Sequence, residues 1–592
     1  MYVLATAGHV DHGKSTLVRV LTGMEPDRYA EERRRGLTLD LGFVWMDLPG
    51  GQRLAFVDVP GHERFVGTML AGVGPVPAVL LVVAADGGWS AQTQEHVSIL
   101  DALGVAHGLV ALTRTDLADP AELLAEVPDW LAGTSLAGLP SVPCSAITGA
   151  GLDDLRQALA AVVAALPAPD LAAATRLWVD RAFSIRGAGT VVTGTLPAGQ
   201  LQVDDELIVA RTGQTVVIRG LQSMNEQLTA VQSVARVAVN LRSISADELR
   251  RGDALLTPGA WAVTSTVDLQ MGSAVPALPR DMTMHIGAAA VPARTRRLGD
   301  RGVRLSIASP VALSYGDRVL LRDPGSRNVF GADVLDPLPR RLPRRRGAAV
   351  QRGAELAEMS AGPDPEGELR RRGYERADDF ARLGLGRPST EPVGGWLLDP
   401  GTRQRLTERL ALLAADHQQR HPLDAGLAAG AAARSLGLPD PRLLSAVIRP
   451  PWQLQAGRVT AIGQAAADLP RDVAVKVEEV RKRLRGNAFD APTATELAEL
   501  GLSPAMLTAA VRAGLLITVG DGVFLRPEAS EAAVGRLEEL PQPFTTSQAR
   551  TALQTSRRVA LPLLQWLDAA GVTVRLPDDR RRLRRSAVNS RG

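Results

Sequence analysis

The sequence is poor in lysine, cysteine and aromatic residues, and it has no long apolar run. Cys144 is the only cysteine among 592 residues, which excludes intramolecular disulfides and metal sites built from several cysteines. No stretch reaches the ~18 uninterrupted apolar residues of a membrane span, and the chain opens on a strand-like run without a signal-peptide pattern. The formal net charge is only +3, so a nucleic-acid surface has to be local. We expect a cytoplasmic protein.

Among the residue types that are scarce in this sequence, lysine is the most informative. Lysine and arginine together number 67, yet the sequence contains only Lys14, Lys476 and Lys482, and the others are arginine. Such a bias is typical of a GC-rich genome. Lys14 is the only lysine in the first 475 residues, so this position has a requirement that arginine does not meet.

The composition is otherwise that of a folded, multidomain protein. Apolar residues make up 45% of the chain and charged residues 22%, which is ordinary for globular domains. A chain of 592 residues suggests about four domains.

Lys14 lies in a phosphate-binding motif. GHVDHGKST follows the apolar run YVLATA and fits G-x-x-x-x-G-K-[ST] from Gly8 to Ser15. Glycines let such a loop wrap around phosphates with its N–H groups pointing inward, and the next helix adds its positive N-terminal end. A compact ammonium suits this tight loop, whereas a guanidinium fork differs in shape and bulk. The alternative is a chance glycine-rich turn. The candidate phosphate-binding residues are Gly8, His9, Val10, Asp11, His12, Gly13, Lys14, Ser15 and Thr16, with Gly61 farther along the chain.

Further stretches fit a nucleotide-binding domain. LAFVDVPGH ends an apolar run with Asp58, Gly61 and His62, which suits a carboxylate reaching Mg²⁺ and a glycine amide near a γ-phosphate. AVLLVVAADGG and GLVALTRTD have the pattern of apolar strands, and VPCSAITGAGLDDL places Ser145 and Ala146 before a capped helix. Strands alternating with helices predict a doubly wound α/β domain over residues 1–168.

In their order, these motifs resemble those of the translational GTPases of the elongation-factor-Tu type. The resemblance implies that the chain hydrolyses GTP, with Mg²⁺ held by Ser15, Thr38 and Asp58. It also implies that His62 orients the attacking water once a ribosome positions it. The alternative for His62 is a turn histidine with a structural role.

The same resemblance assigns the guanine-binding residues. It implies that Asp116 reads the guanine edge and that Ser145 and Ala146 support the base; a strand-end turn residue is the alternative for Asp116. The segment Thr113-Arg114-Thr115-Asp116 departs from the usual Asn-Lys-x-Asp. Thr113 can still hydrogen-bond, and Arg114 can lay its stem or its plane over a purine.

Short β-rich runs replace the α/β pattern after residue 171. Their spacing and their glycine and proline turns predict two β-barrels, over residues 171–256 and 257–340. RAFSIRGAGTVVTGTL resembles the second domain of the elongation-factor-Tu group. The resemblance implies a three-domain body that grips the acceptor arm of an aminoacyl-tRNA.

Three phrases narrow the resemblance to the selenocysteine-specific elongation factors: RRRGLTLDLGF, DVPGHERFVGTMLAGV and VDRAFSIRGAGTVVTGTL. The resemblance implies a basic pocket for the charged selenocysteinyl group, at positions matched by Asp180, Arg181 and Arg236. A selenol ionises well below neutral pH and a serine hydroxyl does not, so cations can distinguish the two. Surface arginines of an arginine-rich barrel are the alternative.

The C-terminal part predicts tandem winged helices, mainly α-helical, over residues 345–405, 406–470, 471–530 and 531–592. The basic run LPRRLPRRRGAA marks the boundary before them and is interpreted as a solvated linker rather than an RNA contact. The last module carries the candidate mRNA-binding residues Arg557, Arg558, Arg575 and Arg580, and Arg581 and Arg582 could face the same ligand. A DNA-binding or protein-docking winged helix is the alternative.

Two functions remain open from the sequence. The first is a monomeric, GTP-dependent factor that delivers selenocysteinyl-tRNA to the ribosome at UGA codons marked by an mRNA hairpin (SECIS). The second is a GTPase regulator whose winged helices bind DNA or another RNA, without tRNA cargo.

Overall fold

The computed structural model describes residues 2–26, 40–60, 66–74, 76–273, 278–326, 328–462, 469–520 and 522–584. The chain divides into two compact units. Unit 1 comprises residues 1–368 and 375–389, and unit 2 comprises residues 369–374 and 390–592. Within the described ranges, no helix combines the length and the apolar character that a membrane crossing needs.

Unit 1 begins with an α/β domain. Its strands are β1 (Tyr2–Ala7), β2 (Gly42–Asp47), β3 (Arg53–Asp58), β4 (Ala78–Ala84), β5 (His107–Thr113) and β6 (Ser141–Pro143). Its helices are α1 (Lys14–Thr22), α2 (Val66–Val73), α3 (Ala91–Ala102), α4 (Ala121–Leu131) and α5 (Leu152–Ala165).

The six strands form one sheet in the order β2-β3-β1-β4-β5-β6. Only β2 is antiparallel to its neighbour. Consecutive residues of β1 enter different apolar clusters, Val3 one and Leu4 the other, so the sheet has a core on each face. β4 is buried along its whole length, as a strand covered on both faces requires. The predicted doubly wound fold is confirmed, and its phosphate-binding motif lies at the carboxyl end of β1.

Two barrels follow in unit 1. The first contains β7 (Arg176–Trp178), β8 (Arg181–Ile185), β9 (Gly189–Leu196), β10 (Gln200–Gln202), β11 (Glu206–Val209), β12 (Thr215–Ser223), β13 (Glu226–Leu228), β14 (Ala230–Gln232), β15 (Ala235–Arg242) and β16 (Ala254–Leu256). The second contains β17 (Ala262–Met271), β18 (Asp281–Ile286), β19 (Ala289–Arg297), β20 (Gly302–Leu313), β21 (Arg318–Arg322) and β22 (Val329–Asp336).

The strand orders agree with the predicted β modules. The main sheet of the first module runs β7-β16-β11-β12-β15-β9-β8, and the second is a closed barrel, β17-β20-β19-β18-β21-β22. A partly buried ion pair joins the two modules: both terminal nitrogens of Arg176 lie 2.6 Å from the carboxylate of Asp317. The Arg176 guanidinium also lies 4.3 Å from the ring centroid of Trp261.

The chain beyond the barrels differs from the predicted start of a separate module near residue 345. Helix α6 (Ala348–Met359) packs Leu356 and Met359 against Leu298 and Leu335 of the second module. Arg352 donates to the buried carboxylate of Asp268 at 2.8 Å. The apolar face of α6 is therefore covered by the barrel, and unit 1 extends into the region predicted for the first winged helix.

Further helices and strands lead through the division between the units into unit 2. They are α7 (Pro365–Arg372), β23 (Tyr374–Arg376), α8 (Ala377–Ala381), β24 (Trp396–Leu398), α9 (Pro400–Arg420), β25 (Leu427–Ala428), α10 (Ala429–Leu436), α11 (Leu444–Val447), β26 (Trp452–Gln455) and β27 (Arg458–Ala461). β25 lies between α9 and α10, and β26 and β27 follow α11. The three strands form a small antiparallel sheet in the order β25-β27-β26, and this order of helices and strands is that of a winged helix.

The last two modules of unit 2 repeat this plan. Their elements are α12 (Arg471–Gly486), α13 (Ala494–Glu499), α14 (Pro504–Arg512), β28 (Ile517–Gly520), β29 (Val523–Leu525), α15 (Ala529–Glu538), α16 (Thr546–Ala552), α17 (Arg557–Ala569), β30 (Thr573–Arg575) and β31 (Arg581–Leu583). Thr493 with Glu496 and Thr545 with Gln548 form capping boxes that start α13 and α16. Residues of both modules enter one apolar cluster, so these two winged helices share a core.

Candidate functional site

The phosphate-binding loop follows β1 and has a backbone that few residues other than glycine adopt. Gly8 has a φ of 127°, and a Cβ there would lie 2.2 Å from the carbonyl oxygen of Val82. Gly13 and Asp11 also have positive φ, 82° and 64°. The loop ends where α1 begins at Lys14, so the predicted residues from Gly8 to Thr16 lie together between a strand end and a helix N-terminus.

Lys14 is buried beneath this loop. Its Nζ donates to the carbonyl oxygens of His9 and Gly8, at 2.7 and 3.0 Å. Burial lowers the pKa of Lys14 to about 8, and the carboxylates of Asp58 and Asp11 oppose that shift. The ammonium is therefore held by backbone carbonyls that bound phosphates can replace.

Ser15 and Asp58 lie at adjacent points of the same site. The Ser15 hydroxyl donates to Asp58 Oδ2 at 2.7 Å, and Thr6 donates to Oδ1 at 2.7 Å. Asp58 is completely buried at the end of β3. A hydroxyl and a carboxylate are oxygen ligands of the kind that Mg²⁺ prefers, so these two side chains fit the ion.

Thr113 and Arg114 contact the phosphate-binding loop. The Thr113 hydroxyl donates to the carbonyl oxygen of His12 at 2.7 Å. Arg114 has a φ of 57° and donates to the carbonyl oxygen of Asp11. Its guanidinium also lies 3.0 Å from Asp86. Although these residues depart from the usual motif, they join the end of β5 to the loop.

Asp116 and Ser145, both predicted to bind the guanine base, lie in contact with each other. The Ser145 hydroxyl donates to Asp116 Oδ1 at 2.6 Å. Ser145 Oγ in turn accepts from the N–H groups of Thr148 and Ile147, at 3.1 and 3.2 Å, in the turn that also contains Ala146. Asp116 is exposed to solvent with its carboxylate oriented by a buried hydroxyl, which suits recognition of a ring edge with two N–H donors.

Two residues near the loop were not predicted from the sequence. His96 on α3 accepts a hydrogen bond at Nδ1 from the N–H of Gly8, at 2.9 Å. Burial lowers the pKa of His96 to about 3, so the ring is neutral and can accept. Asp86, the partner of Arg114, is the other. Neither stands in a recognisable motif, since their contacts come from residues 88 and 28 positions away.

Three predicted residues lie outside the described residues, namely Thr38, Gly61 and His62. Their assignments stay predictions.

Another predicted residue, His12 of the phosphate-binding loop, is described. Burial lowers the pKa of His12 to about 4.

A second cluster lies where the first barrel meets β2. Strand register brings Arg181 beside Thr193 and Arg236 beside Thr195, on neighbouring strands of one sheet. Arg236 donates to Asp180 at 2.7 Å, and its guanidinium lies 4.1 Å from the centroid of the Phe43 ring. The three predicted pocket residues are therefore close together, and β2 contributes an aromatic wall that the sequence did not predict.

Both arginines of this cluster have acidic partners. Asp180 also accepts from Thr193 at 2.7 Å and is buried. Arg181 Nε lies 3.0 Å from Asp40 Oδ2, and its terminal nitrogen donates to the Leu41 carbonyl oxygen at 2.6 Å. The cluster is an ion-pair network that faces the α/β domain rather than a group of surface arginines.

The predicted mRNA-binding arginines occupy different environments in the last module. Arg557 is exposed at the first residue of α17, whereas Arg558 donates to the carbonyl oxygen of Ala491 in the preceding module. Arg575 and Arg580 are exposed on the wing and pair with Asp579 and Asp578. Such exposed pairs are weak and can exchange for phosphates.

Arg581 does not face a ligand on the wing. Its side chain is only 2% exposed and lies 2.9 Å from Asp568. It also donates to the Thr546 hydroxyl at 3.1 Å. The sequence does not distinguish Arg581 from Arg580 and Arg582, because all three are arginine. Side chains of a strand point alternately to its two faces, and Arg581 is the one that points inward.

Three family models match parts of the chain. Residues 1–165 match the elongation factor Tu GTP-binding domain, residues 189–256 elongation factor Tu domain 2, and residues 536–582 the winged helix of elongation factor SelB. The chain is therefore a GTPase of this type, with GTP and GDP as its nucleotides.

Individual relatives and a solved structure extend the similarity beyond these domains. The selenocysteine-specific elongation factor of Escherichia coli strain K12 is 36% identical over 64% of this chain and 62% of its own. A crystal structure of a bacterial selenocysteine-specific elongation factor, EF-Sec, has the same fold, with a TM-score of 0.74, 24% identity and coverage of 99% and 100%. The selenocysteine-specific elongation factor of Desulfomicrobium baculatum is 31% identical over 98% of this chain and 99% of its own. Because this similarity extends along both chains, the protein belongs to the selenocysteine-specific elongation factors.

Proposed function

We propose that this GTPase binds selenocysteinyl-tRNA and delivers it to the ribosome, in the cytoplasm, at UGA codons marked by an mRNA hairpin. The observation that carries the proposal is the cluster of Arg181, Arg236 and Asp180 on the barrel beside a guanine-nucleotide site. A regulator without tRNA cargo would not need these arginines, and the family assignment favours the factor.

The nucleotide site supports a GTP-dependent cycle. Ser15 and Asp58 would hold Mg²⁺, which neutralises charge between the β- and γ-phosphates. Thr38 would complete the ion's ligands, and the Gly61 amide would approach the γ-phosphate. His62 would orient the attacking water on the ribosome. Loss of the γ-phosphate would then loosen the segments around Thr38 and Asp58 and release the tRNA.

The arginine cluster supports discrimination by charge. A selenocysteinyl side chain is anionic at neutral pH, whereas a seryl side chain is neutral. Arg181 is 19% exposed and Arg236 13% exposed, so an anion beside them is partly shielded from water. An ion pair in such a setting is stronger than one in bulk solvent, which favours the selenolate over a hydroxyl of similar shape.

The last winged helix supports mRNA binding. Arg557 begins α17, the second helix of its helix-turn-helix, and Arg575 and Arg580 extend the positive charge onto the wing. These guanidinium groups suit phosphates and splayed bases of a hairpin loop. Arg558 would contribute through its position between the modules.

The proposal is tested with the double variant Arg181→Ala/Arg236→Ala. We expect its affinity for selenocysteinyl-tRNA to fall by about 100-fold, because two charge-assisted contacts are lost. Its affinity for the same tRNA carrying serine should change by less than about threefold, since a neutral group gains little from either charge. Equilibrium binding of the GTP-bound protein measures both.

The control variant is Arg219→Ala/Arg242→Ala, which removes two exposed arginines from the same barrel. It should leave both affinities unchanged. Equal losses for the two aminoacyl groups in the test variant would contradict charge-based discrimination. Wild-type protein that binds both tRNAs equally would contradict the proposed cargo.

A further inference from the structure

Asp40 forms an ion pair with Arg181, whose guanidinium is proposed to bind the selenocysteinyl side chain. Its Oδ2 lies 3.0 Å from Arg181 Nε, and its Oδ1 lies 3.5 Å from a terminal nitrogen of Arg251. The next residue, Leu41, accepts from Arg181 through its carbonyl oxygen at 2.6 Å. Asp40 precedes β2 in the α/β domain, whereas both arginines belong to the first barrel module.

The two acidic residues of this cluster are held differently. Asp180 is 3% exposed, pairs with Arg236 through both of its oxygens and accepts from Thr193. Asp40 is 26% exposed, and its contact with Arg251 is at the long limit of a hydrogen bond. Removing a partner from a buried, bidentate pair is costly, while a partly exposed pair exchanges at little cost. An entering anion would therefore displace Asp40 rather than Asp180.

The charges of the cluster allow one such exchange. Among its described residues, the cluster has three positive charges, from Arg181, Arg236 and Arg251, and two negative charges, from Asp40 and Asp180. An anionic side chain that reaches Arg181 competes with the Asp40 carboxylate for the charge of the same guanidinium group. A neutral hydroxyl brings no charge that could replace the carboxylate, so Arg181 keeps Asp40 as its partner.

We propose that Asp40 is a displaceable counter-ion of Arg181, which the anionic aminoacyl side chain must replace when it binds. This inference rests on the proposed function and adds a residue that sets the affinity for the cargo. Asp40 weakens the bound state by competing for Arg181, and it promotes release because the carboxylate can return to the guanidinium.

The test is the variant Asp40→Asn, which keeps the side-chain shape and removes the charge. Equilibrium binding is measured for the full-length, GTP-bound protein with selenocysteinyl-tRNA and with the same tRNA carrying serine. We expect about tenfold tighter binding of selenocysteinyl-tRNA, mostly through slower dissociation. Binding of the seryl form should stay within about twofold, because its side chain does not compete with Asp40.

Two controls isolate the charge at this position. Asp40→Glu keeps the carboxylate and should retain an affinity much closer to that of the wild type. Asp47→Asn removes the same charge from β2, where the exposed Asp47 pairs with Arg53, and should leave both tRNA affinities unchanged. Arg251→Gln is an independent variant with the opposite sign. It removes one of the two guanidinium groups beside Asp40, so the carboxylate interacts more strongly with Arg181 and the preference for selenocysteine over serine should fall.

The outcomes separate this inference from the function on which it rests. If the wild type does not prefer the selenocysteinyl form, the proposed cargo is wrong. If the wild type prefers it but Asp40→Asn weakens that binding, Asp40 positions Arg181 and is not its competitor. Unchanged binding in Asp40→Asn also overturns the inference. Affinity for GTP shows whether each variant is folded. If Asp40→Asn does not fold, the tRNA affinities of Arg251→Gln decide whether the inference holds.

Discussion

At the residue scale, the contacts of Lys14 explain why this position is lysine in a chain that otherwise uses arginine almost throughout. Its ammonium lies under a tight loop, between the carbonyl oxygens of Gly8 and His9, and its side chain is buried. A guanidinium is planar and wider, and its donors point along a fixed fork. Replacing Lys14 with arginine therefore keeps the charge and loses the fit.

Lys14→Arg and Lys14→Ala should both lower GTP affinity by at least about 100-fold, because charge-assisted contacts to the phosphates are lost. Equilibrium titration with a fluorescent GTP analogue measures the effect. Lys476→Arg, on α12, is the matched control and should bind GTP as the wild type does. Wild-type affinity in Lys14→Arg would show that the loop accepts a guanidinium.

The lowered pKa of Lys14 also predicts a pH dependence of nucleotide binding. In the nucleotide-free protein the side chain is an ammonium below its pKa of about 8 and neutral above it. Phosphates bind the ammonium form, so binding requires proton uptake once the pH exceeds that value. We expect GTP affinity to fall by about twofold from pH 7 to 8 and by about fivefold, approaching tenfold per pH unit, between pH 8 and 9. A flat profile over this range would contradict the assignment.

Individual residues also show how far sequence could predict this site. The loop, Lys14, Ser15, Asp58 and the order of the guanine-binding residues follow from motifs with short, fixed spacing. His96 and Asp86 could not be predicted, because each contact joins separate strands and helices across the sheet. Phe43 and Asp40 were missed for the same reason, since their partners are on a different domain.

At the scale of secondary-structure elements, the two C-terminal winged helices depend on one shared core. Phe489 lies between α12 and α13, is completely buried, and accepts from Thr555 of the last module through its carbonyl oxygen at 2.6 Å. Arg536, on α15, places its guanidinium 5.7 Å from the Phe489 ring centroid. One residue thus contacts, through its ring and its carbonyl oxygen, a module that the sequence predicted as separate from its own.

Phe489→Ala should destabilise both modules together, by about 3–5 kcal/mol, because it leaves a cavity in their common core. Hydrogen exchange of the full-length protein, followed by mass spectrometry, should show faster exchange in α12–α14 and in α15–α17. Leu500→Ala is the control, since Leu500 is 38% exposed. Faster exchange in only one module would indicate two independent cores.

Sequence patterns predicted these elements better than their partners. Capping residues and apolar spacing indicate where helices such as α13 and α16 begin. The partner of an apolar face is decided by tertiary packing, which a local pattern does not contain. Helix α6 is the clearest case, because the residues assigned to a winged helix cover the second barrel module instead.

At the scale of the whole molecule, the chain contains two compact units with separate ligands proposed for each. Unit 1 carries the nucleotide site and the proposed aminoacyl pocket, and unit 2 carries the arginines proposed for mRNA. A ligand that binds only the folded form of a unit raises the temperature at which that unit unfolds.

GTP with Mg²⁺ should therefore raise the unfolding temperature of unit 1, by several degrees at 100 times its Kd. Differential scanning calorimetry of the full-length protein measures this shift, and hydrogen exchange at elevated temperature assigns each transition to residues. Lys14→Ala should show no shift with GTP. A single transition in which all described residues unfold together would contradict independent units.

The scarcity of lysine makes nucleotide occupancy measurable by chemistry. An amine-selective reagent attached to a guanosine nucleotide encounters one ε-amino group in the first 475 residues, within the loop that binds the phosphates. With a pKa of about 8, this amine has a larger nucleophilic fraction at neutral pH than an ordinary lysine. The yield of one labelled peptide would then report how many molecules hold nucleotide at each stage of a translation cycle, while the arginines remain unlabelled.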